Sequence, residues 1–119
     1  VWGGNQLRDF NYVDDVVNAF LSVAISNDSN GKVFNLGSKE VISLQQLADS
    51  LISVNGSGDY EIKSFPEERK KIDIGDYYSD FNKINKLLNW EPLTNFQTGI
   101  KLTLDYYKRY GEYYLDTPM

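Results

Sequence analysis

Gly3-Gly4-Asn5-Gln6-Leu7-Arg8-Asp9-Phe10-Asn11-Tyr12-Val13-Asp14-Asp15 is the stretch on which the reading of this chain turns. The two glycines stop a strand that ends at Val1 and Trp2. Leu7 to Val13 predicts a short extended segment leading into a helix. Asp14 and Asp15 open that helix, where carboxylates cap free N–H groups and suit the positive end of the helix dipole. Val16, Val17, Phe20, Leu21, Val23 and Ala24 then supply an amphipathic stripe.

Working outward, Asn27 to Gly31 is a polar turn, and Lys32-Val33-Phe34-Asn35-Leu36-Gly37 predicts a buried strand. Ser43 with Gln46 three residues on forms a capping box. Leu44, Leu47, Ala48, Leu51 and Ile52 continue it at helical spacing, and Asn55-Gly56 stops the helix. Tyr60, Ile62 and Ser64 alternate with Glu61, Lys63 and Phe65, which predicts a second short strand. Pro66 to Tyr78 is charged and irregular and reads mainly as loop. Asp80 or Ser79 caps a short helix through Ile84, Leu87 and Leu88, which ends near Asn89-Trp90 ahead of Pro92. Asn95 starts a last helix with Phe96, Ile100, Leu104 and Tyr107 on one face, somewhat weakened by Gly99. Few short strands and about four helices make a small mixed α/β lobe, one domain over residues 1–119. Two or three strands are too few for a complete doubly wound sheet, so a lobe of something larger is expected.

The composition narrows the function. A net charge of −5 argues against a nucleic-acid surface, which needs clustered cations to displace counterions. One phosphate group held by one or two arginines stays compatible with it. The chain has no cysteine and no histidine, which removes disulfides, thiol nucleophiles, imidazole bases and the commonest metal ligand. The lack of cysteine fits a reducing cytoplasm. No apolar run is long enough to span a membrane. The chain opens with Val-Trp-Gly-Gly rather than methionine, so a piece of a longer protein is expected. Tyr106, Tyr107, Tyr110, Tyr113 and Tyr114 cluster late, which suits a half-buried helix face or an interface.

Five landmarks in order resemble the sugar-nucleotide epimerase/dehydratase family, the extended short-chain dehydrogenase/reductases. The first is Arg8-Asp9-Phe10-Asn11-Tyr12-Val13-Asp14-Asp15 after its glycine turn. Phe34-Asn35-Leu36-Gly37 is similar to a family strand, and Ser43-Leu44-Gln45-Gln46-Leu47 to the helix that follows it. Arg69 through Asp73, then Asp80-Phe81-Asn82-Lys83, resembles an arginine-bearing loop leading to an Asp-x-x-Lys helix. Leu88-Asn89-Trp90-Glu91-Pro92 stands for Leu-Gly-Trp-x-Pro, with asparagine in place of glycine. Either residue tolerates the left-handed backbone a helix end needs.

The resemblance implies the C-terminal, nucleotide-sugar-binding domain of an NAD-dependent enzyme, with UDP-sugar 4-epimerase the leading activity. Family members bind NAD through a glycine fingerprint and oxidise a sugar hydroxyl with a Tyr-x-x-x-Lys pair. The chain contains no Gly-x-x-Gly-x-x-Gly or Gly-x-Gly-x-x-Gly pattern, and no tyrosine has a lysine four residues later. The resemblance therefore implies that an N-terminal Rossmann domain, absent from this chain, holds the NAD and the catalytic pair. No cofactor and no catalytic activity are expected of this chain by itself. Its partners would be an NDP-sugar, the Rossmann domain and, through an uncovered apolar face, a second copy.

The resemblance also nominates site residues. Arg8 and Arg69 fall where the family sets arginines against the diphosphate, a role that suits a planar fork of donors with a permanent charge. Arg8 could instead form an ion pair with Asp9, Asp14 or Asp15. Arg69 could belong to a solvated charged loop, with Lys70 the true counterpart. Asp73 resembles a ribose-hydroxyl acceptor, or is a loop carboxylate paired with a lysine. Asn35 faces the nucleotide by resemblance, or holds a turn. Phe10 can stack but not donate, Tyr12, Asp14 and Asp15 read as structural supports, and Arg109 reads as surface. Two other classes remain open: a non-catalytic nucleotide-binding module, and an interaction domain that uses the tyrosine-rich end.

Overall fold

A computed structural model gives the fold and describes residues 1–114. In chain order the elements are β1 (Leu7–Arg8), α1 (Val13–Ile25), a 3-10 turn (Asn27–Ser29), β2 (Ile42–Ser43) and α2 (Leu44–Asn55). Then follow α3 (Glu67–Lys70), α4 (Asn82–Leu88), α5 (Phe96–Tyr110) and a last 3-10 turn (Gly111–Tyr113). The α/β class and the small mixed lobe are as expected, with five α-helices among the described residues rather than about four. No helix among them is long and apolar enough to cross a membrane.

The helix ends follow local chemistry closely. Ser43 accepts from the Gln46 backbone N–H at 3.1 Å, and the Gln46 side chain accepts from the Ser43 N–H at 2.7 Å. Asn95 accepts from the Thr98 N–H at 2.9 Å and starts α5. At α4 the expected cap is displaced: the N-cap is Phe81, which makes no side-chain cap bond. Neither Asp80 nor Ser79 stands there, although Asp80, one residue earlier, accepts from the Asn82 N–H at 2.7 Å. Asn89 closes α4 at φ 52°, the left-handed conformation that asparagine tolerates. Gly99 causes no break in α5, and its bare Cα faces Tyr12 and Thr94, which an added Cβ would meet at 3.5 and 3.8 Å.

The core lies where α1, α4 and the segment after α4 meet. Ala19, Ile84 and Trp90 are buried, with Val23, Phe34, Leu36, Phe81 and Leu88 packed against them. Trp90 meets Phe81 edge to face at 6.0 Å and donates its indole N–H to the Asp15 carbonyl at 3.0 Å. Asp15 is itself 4% exposed, and its carboxylate accepts from the Leu93 and Thr94 N–H groups at 3.2 and 3.0 Å. It ties the start of α1 to the loop before α5. A buried carboxylate is tolerable only with such partners.

Three further expectations need correction. Lys32–Gly37 is extended but is not a buried strand: Val33 is 79% exposed and Asn35 is exposed, while Phe34 and Leu36 face the core and Gly37 is buried. The alternation is right, but among the described residues no neighbouring strand supplies a ladder. Tyr60–Phe65 reduces to one parallel bridge, Trp2 with Lys63, since only the short N-terminal end lies beside it. Asp14 and Asp15 sit inside the first turn of α1 rather than capping it, and the N-cap, Tyr12, makes no side-chain hydrogen bond there. Asp15 is drawn to residues 93 and 94 instead. The charged stretch from Pro66 to Tyr78 also holds one helical turn, α3.

Candidate functional site

The site is built on β1. On one side β1 pairs antiparallel with β2, Leu7 opposite Ser43 and Arg8 opposite Ile42. On the other side the Gly75–Tyr77 segment runs alongside it. Asp76 Oδ1 accepts from the Leu7 N–H at 2.8 Å, the Tyr77 N–H donates to the Leu7 carbonyl at 3.0 Å, and Arg8 bridges Tyr77 in parallel. β1 is thus held on both edges, although it is only two residues long.

That support fixes the Arg8 head. Its Nη1 donates to the Leu7 carbonyl at 2.7 Å and to the Gly75 carbonyl at 2.6 Å. Nη2 lies 3.9 Å from Asp73 Oδ1, an ion pair but not a hydrogen bond. The Arg8 side chain is 23% exposed. A guanidinium has five N–H donors, and its Nε–Nη2 edge can grip two oxygens of one anion. Among the described residues that edge of Arg8 makes no hydrogen bond, while Nη1 is fully engaged.

Of the expected residues, the structure brings Arg8 and Asp73 together. The expected ion-pair alternatives for Arg8, Asp9, Asp14 and Asp15, do not pair with it in the structure; its ion pair is with Asp73 instead. Asp73 also accepts from the Gly75 N–H at 3.0 Å, which shapes the turn. Arg69 reaches the same loop through its backbone, since its carbonyl accepts from the Ile72 and Asp73 N–H groups at 3.1 and 3.0 Å. Its exposed head lies 5.9 Å from the Trp2 ring centre and so has a different neighbour from Arg8. Lys70 and Asn35 are exposed. Arg109 lies over Tyr110 on the exposed face of α5.

Sequence reasoning missed the residues that join the segments. Asp9 Oδ2 accepts from the Ser79 N–H at 2.9 Å. Gly37 is buried at this junction, where an added Cβ would stand 2.5 Å from the Ser79 carbonyl oxygen and 3.0 Å from Asp9 Oδ2. The glycine of Phe34-Asn35-Leu36-Gly37 is therefore required by its close approach to Ser79 and Asp9. Asp76 gave no signal beyond its place in a charged loop.

A separate cleft of about 700 Å³ lies between the start of α1, α2 and α5, with Phe10, Tyr12, Leu51, Phe96, Ile100 and Tyr107 in its walls. Its walls are mostly apolar and include neither Arg8 nor Arg69, so it offers no seat for a diphosphate. Tyr106 and Tyr114 share a hydroxyl hydrogen bond of 2.7 Å at its rim. That bond, then desolvation and the nearby phenols, raises the Tyr106 pKa above the ordinary tyrosine value. Tyr60 is raised as well, chiefly because its hydroxyl donates to Asp49 at 2.6 Å.

Two short strands carrying a half-buried arginine, flanked by helices, define a small mixed α/β lobe. Comparison with known proteins makes the assignment specific. The family described as GDP-mannose 4,6 dehydratase matches residues 2–103. A UDP-glucuronate 4-epimerase from Thermodesulfobacterium geofontis is 33% identical over 107 residues, which are 88% of this chain and 31% of that protein. UDP-glucuronic acid decarboxylase 1 from Xenopus tropicalis is 32% identical over 111 residues, 89% of this chain and 24% of the relative. Among solved structures, UDP-glucose 4-epimerase from Thermotoga maritima with UDP-glucose superposes with a TM-score of 0.77 at 31% identity. That match covers 92% of this chain and 34% of the other. The chain belongs to this family of NAD-dependent sugar-nucleotide epimerases and dehydratases. It spans a third or less of the length of the curated relatives named here.

Proposed function

We propose that this chain is the nucleotide-sugar-binding domain of an NAD-dependent sugar-nucleotide epimerase/dehydratase, with UDP-sugar 4-epimerase the leading activity. The observation that carries this reading is the Arg8 guanidinium, fixed by two carbonyls through Nη1, with its Nε–Nη2 edge making no hydrogen bond among the described residues. Such a head is oriented before the ligand arrives, so less freedom is lost on binding. Arg69 is a second, exposed cation rooted in the same loop. Asp73 would accept from a ribose hydroxyl, and Asn35 would face the nucleotide from the far side of the Gly37 junction.

In this reading the NAD site and the catalytic pair belong to an N-terminal Rossmann domain outside this chain. The residues present do not fit a dinucleotide pyrophosphate. Such a group needs free N–H groups at a helix start beside a glycine turn. Here α2 starts on its own capping box, and the start of α5 is filled by Asn95 and by Glu40, which accepts from the Phe96 N–H at 3.0 Å. The first turn of α1 carries Asp14 and Asp15. The relatives' greater length supports a second domain, and so does an apolar stripe on α1. Val17, Phe20, Leu21 and Ile25 are exposed there, a face suited to being covered. Catalytic activity of the chain alone is not part of the proposal; its contribution is to hold the substrate by diphosphate and base. A cytoplasmic location and a homodimer of the whole protein complete the reading.

Calorimetric titration tests it with UDP-glucose, UDP and uridine as ligands. UDP-glucose and UDP bind, and Arg8→Ala weakens both about ten- to a hundredfold, the worth of a charge-assisted hydrogen bond. Arg69→Ala has a smaller effect in the same direction. Uridine, which lacks phosphate, is insensitive to both changes. Equal losses for UDP and uridine would remove the phosphate role of Arg8.

A further inference from the structure

We infer that Asp76 is a positioning residue for diphosphate binding: it fastens the Gly75–Tyr77 segment to β1 and so sets the Arg8 head. The inference rests on the substrate-binding reading above and deepens it. Asp76 Oδ1 accepts from the Leu7 N–H at 2.8 Å, next to the Tyr77 N–H bond to the Leu7 carbonyl at 3.0 Å. These two contacts take up both the N–H and the carbonyl of one residue of β1, Leu7, and hold the segment in register. The register brings the Gly75 carbonyl to 2.6 Å from Arg8 Nη1. Gly75 has φ +68°, a left-handed conformation open to glycine without strain, and this turn directs its carbonyl at Arg8.

The consequence concerns the free edge of the guanidinium. With Nη1 committed to the Leu7 and Gly75 carbonyls, the planar head cannot rotate, and Nε–Nη2 always faces the same way. Without the clip, Gly75 drifts from Nη1, and the head is free to turn toward Asp73, already 3.9 Å from Nη2. Arg8 would then be held by a competing carboxylate rather than presented to a diphosphate. Asp76 needs no contact with the ligand to have this effect. Its role is to accept from one N–H, which an amide oxygen in its place would also do, and this distinguishes it from Asp73.

The test compares Asp76→Ala, Asp76→Asn and Asp76→Glu in the full polypeptide, with UDP as the probe. Asparagine keeps an acceptor at Oδ1, so Asp76→Asn binds UDP within about twofold of the parent. Alanine removes the acceptor and glutamate moves it by one methylene, so both weaken UDP about five- to tenfold, the scale of one hydrogen bond. Should Asp76→Ala fail to fold, the order of asparagine above glutamate decides in its place. Parent-like UDP binding by a folded Asp76→Ala overturns the inference. Tighter binding by Asp76→Asn also overturns it, because Asp76 would then act by repelling phosphate. A readout without nucleotide separates this inference from the reading beneath it. The Arg8 guanidinium resonances in a proton–nitrogen NMR spectrum show hindered rotation in the parent and in Asp76→Asn, and lose it in Asp76→Ala. Hindered rotation without any UDP binding sinks the substrate reading alone; UDP binding with freely rotating Arg8 in the parent sinks the clip alone.

Discussion

The chain contains two extended segments of similar promise, and they end differently. Leu7–Arg8 is held on both edges, by β2 on one side and by Asp76 and Tyr77 on the other. Lys32–Gly37 is longer and more apolar, yet it has no strand beside it among the described residues. It is kept by one side-chain face, Phe34 and Leu36, by the Lys83 Nζ bond to the Val33 carbonyl at 2.7 Å, and by the tight fit of Gly37. The difference teaches that an alternating pattern specifies which face is buried, while a strand also needs a neighbour to take its backbone bonds.

Substitutions along the two segments sharpen that contrast. The largest effect belongs to Leu7→Pro, which removes the N–H that Asp76 accepts and clashes inside a doubly paired strand. It should destabilise by about 3 kcal/mol in urea unfolding. Gly37→Ala comes next, at about 2 kcal/mol, because its Cβ meets backbone rather than a movable side chain. A smaller loss on urea unfolding than that of Ser43→Ala would show that the Gly37 junction yields. Ser43→Ala strikes where β2 hands over to α2 and should cost about 1 kcal/mol, the worth of an N-cap, with a matching fall in the thermal midpoint. Val33→Thr, on the open face of the second segment, should change stability by less than about 0.5 kcal/mol. A large loss at Val33 would mean that this face is covered in solution and would break the contrast.

A pH experiment adds a smaller effect. The folded Tyr60 pKa is raised by its bond to Asp49, so the contact contributes below the unfolded tyrosine pKa and is lost as pH rises through the folded one. Tyr60→Phe should flatten that alkaline fall in stability, as followed by thermal melts in alkaline buffers.

Much of the fold was legible because it is local. Ser43 with Gln46, Asn95 with Thr98, and the left-handed Asn89 act within three or four residues, and the chemistry that sets them is written side by side. The candidate site was legible in part. Arg8 and Asp73 stood out through the landmarks around them, but their pairing did not, and Arg69 proved to rest against Trp2. Asp15 read as a helix opener and became a buried tie to Leu93 and Thr94, 78 and 79 residues away.

By itself, then, the sequence determined four of the five helices, the caps of α2 and α5, the left-handed end of α4, and the order of landmarks that carries the family resemblance. Only the tertiary structure decided which extended segment became a strand, which carboxylate stands beside Arg8, and which edge of that guanidinium stays open. The reason is range. A cap is satisfied by its own turn, whereas the position of the Arg8 head is set by a carbonyl 67 residues further along the chain. Contacts of that span exist only once the chain has closed on itself.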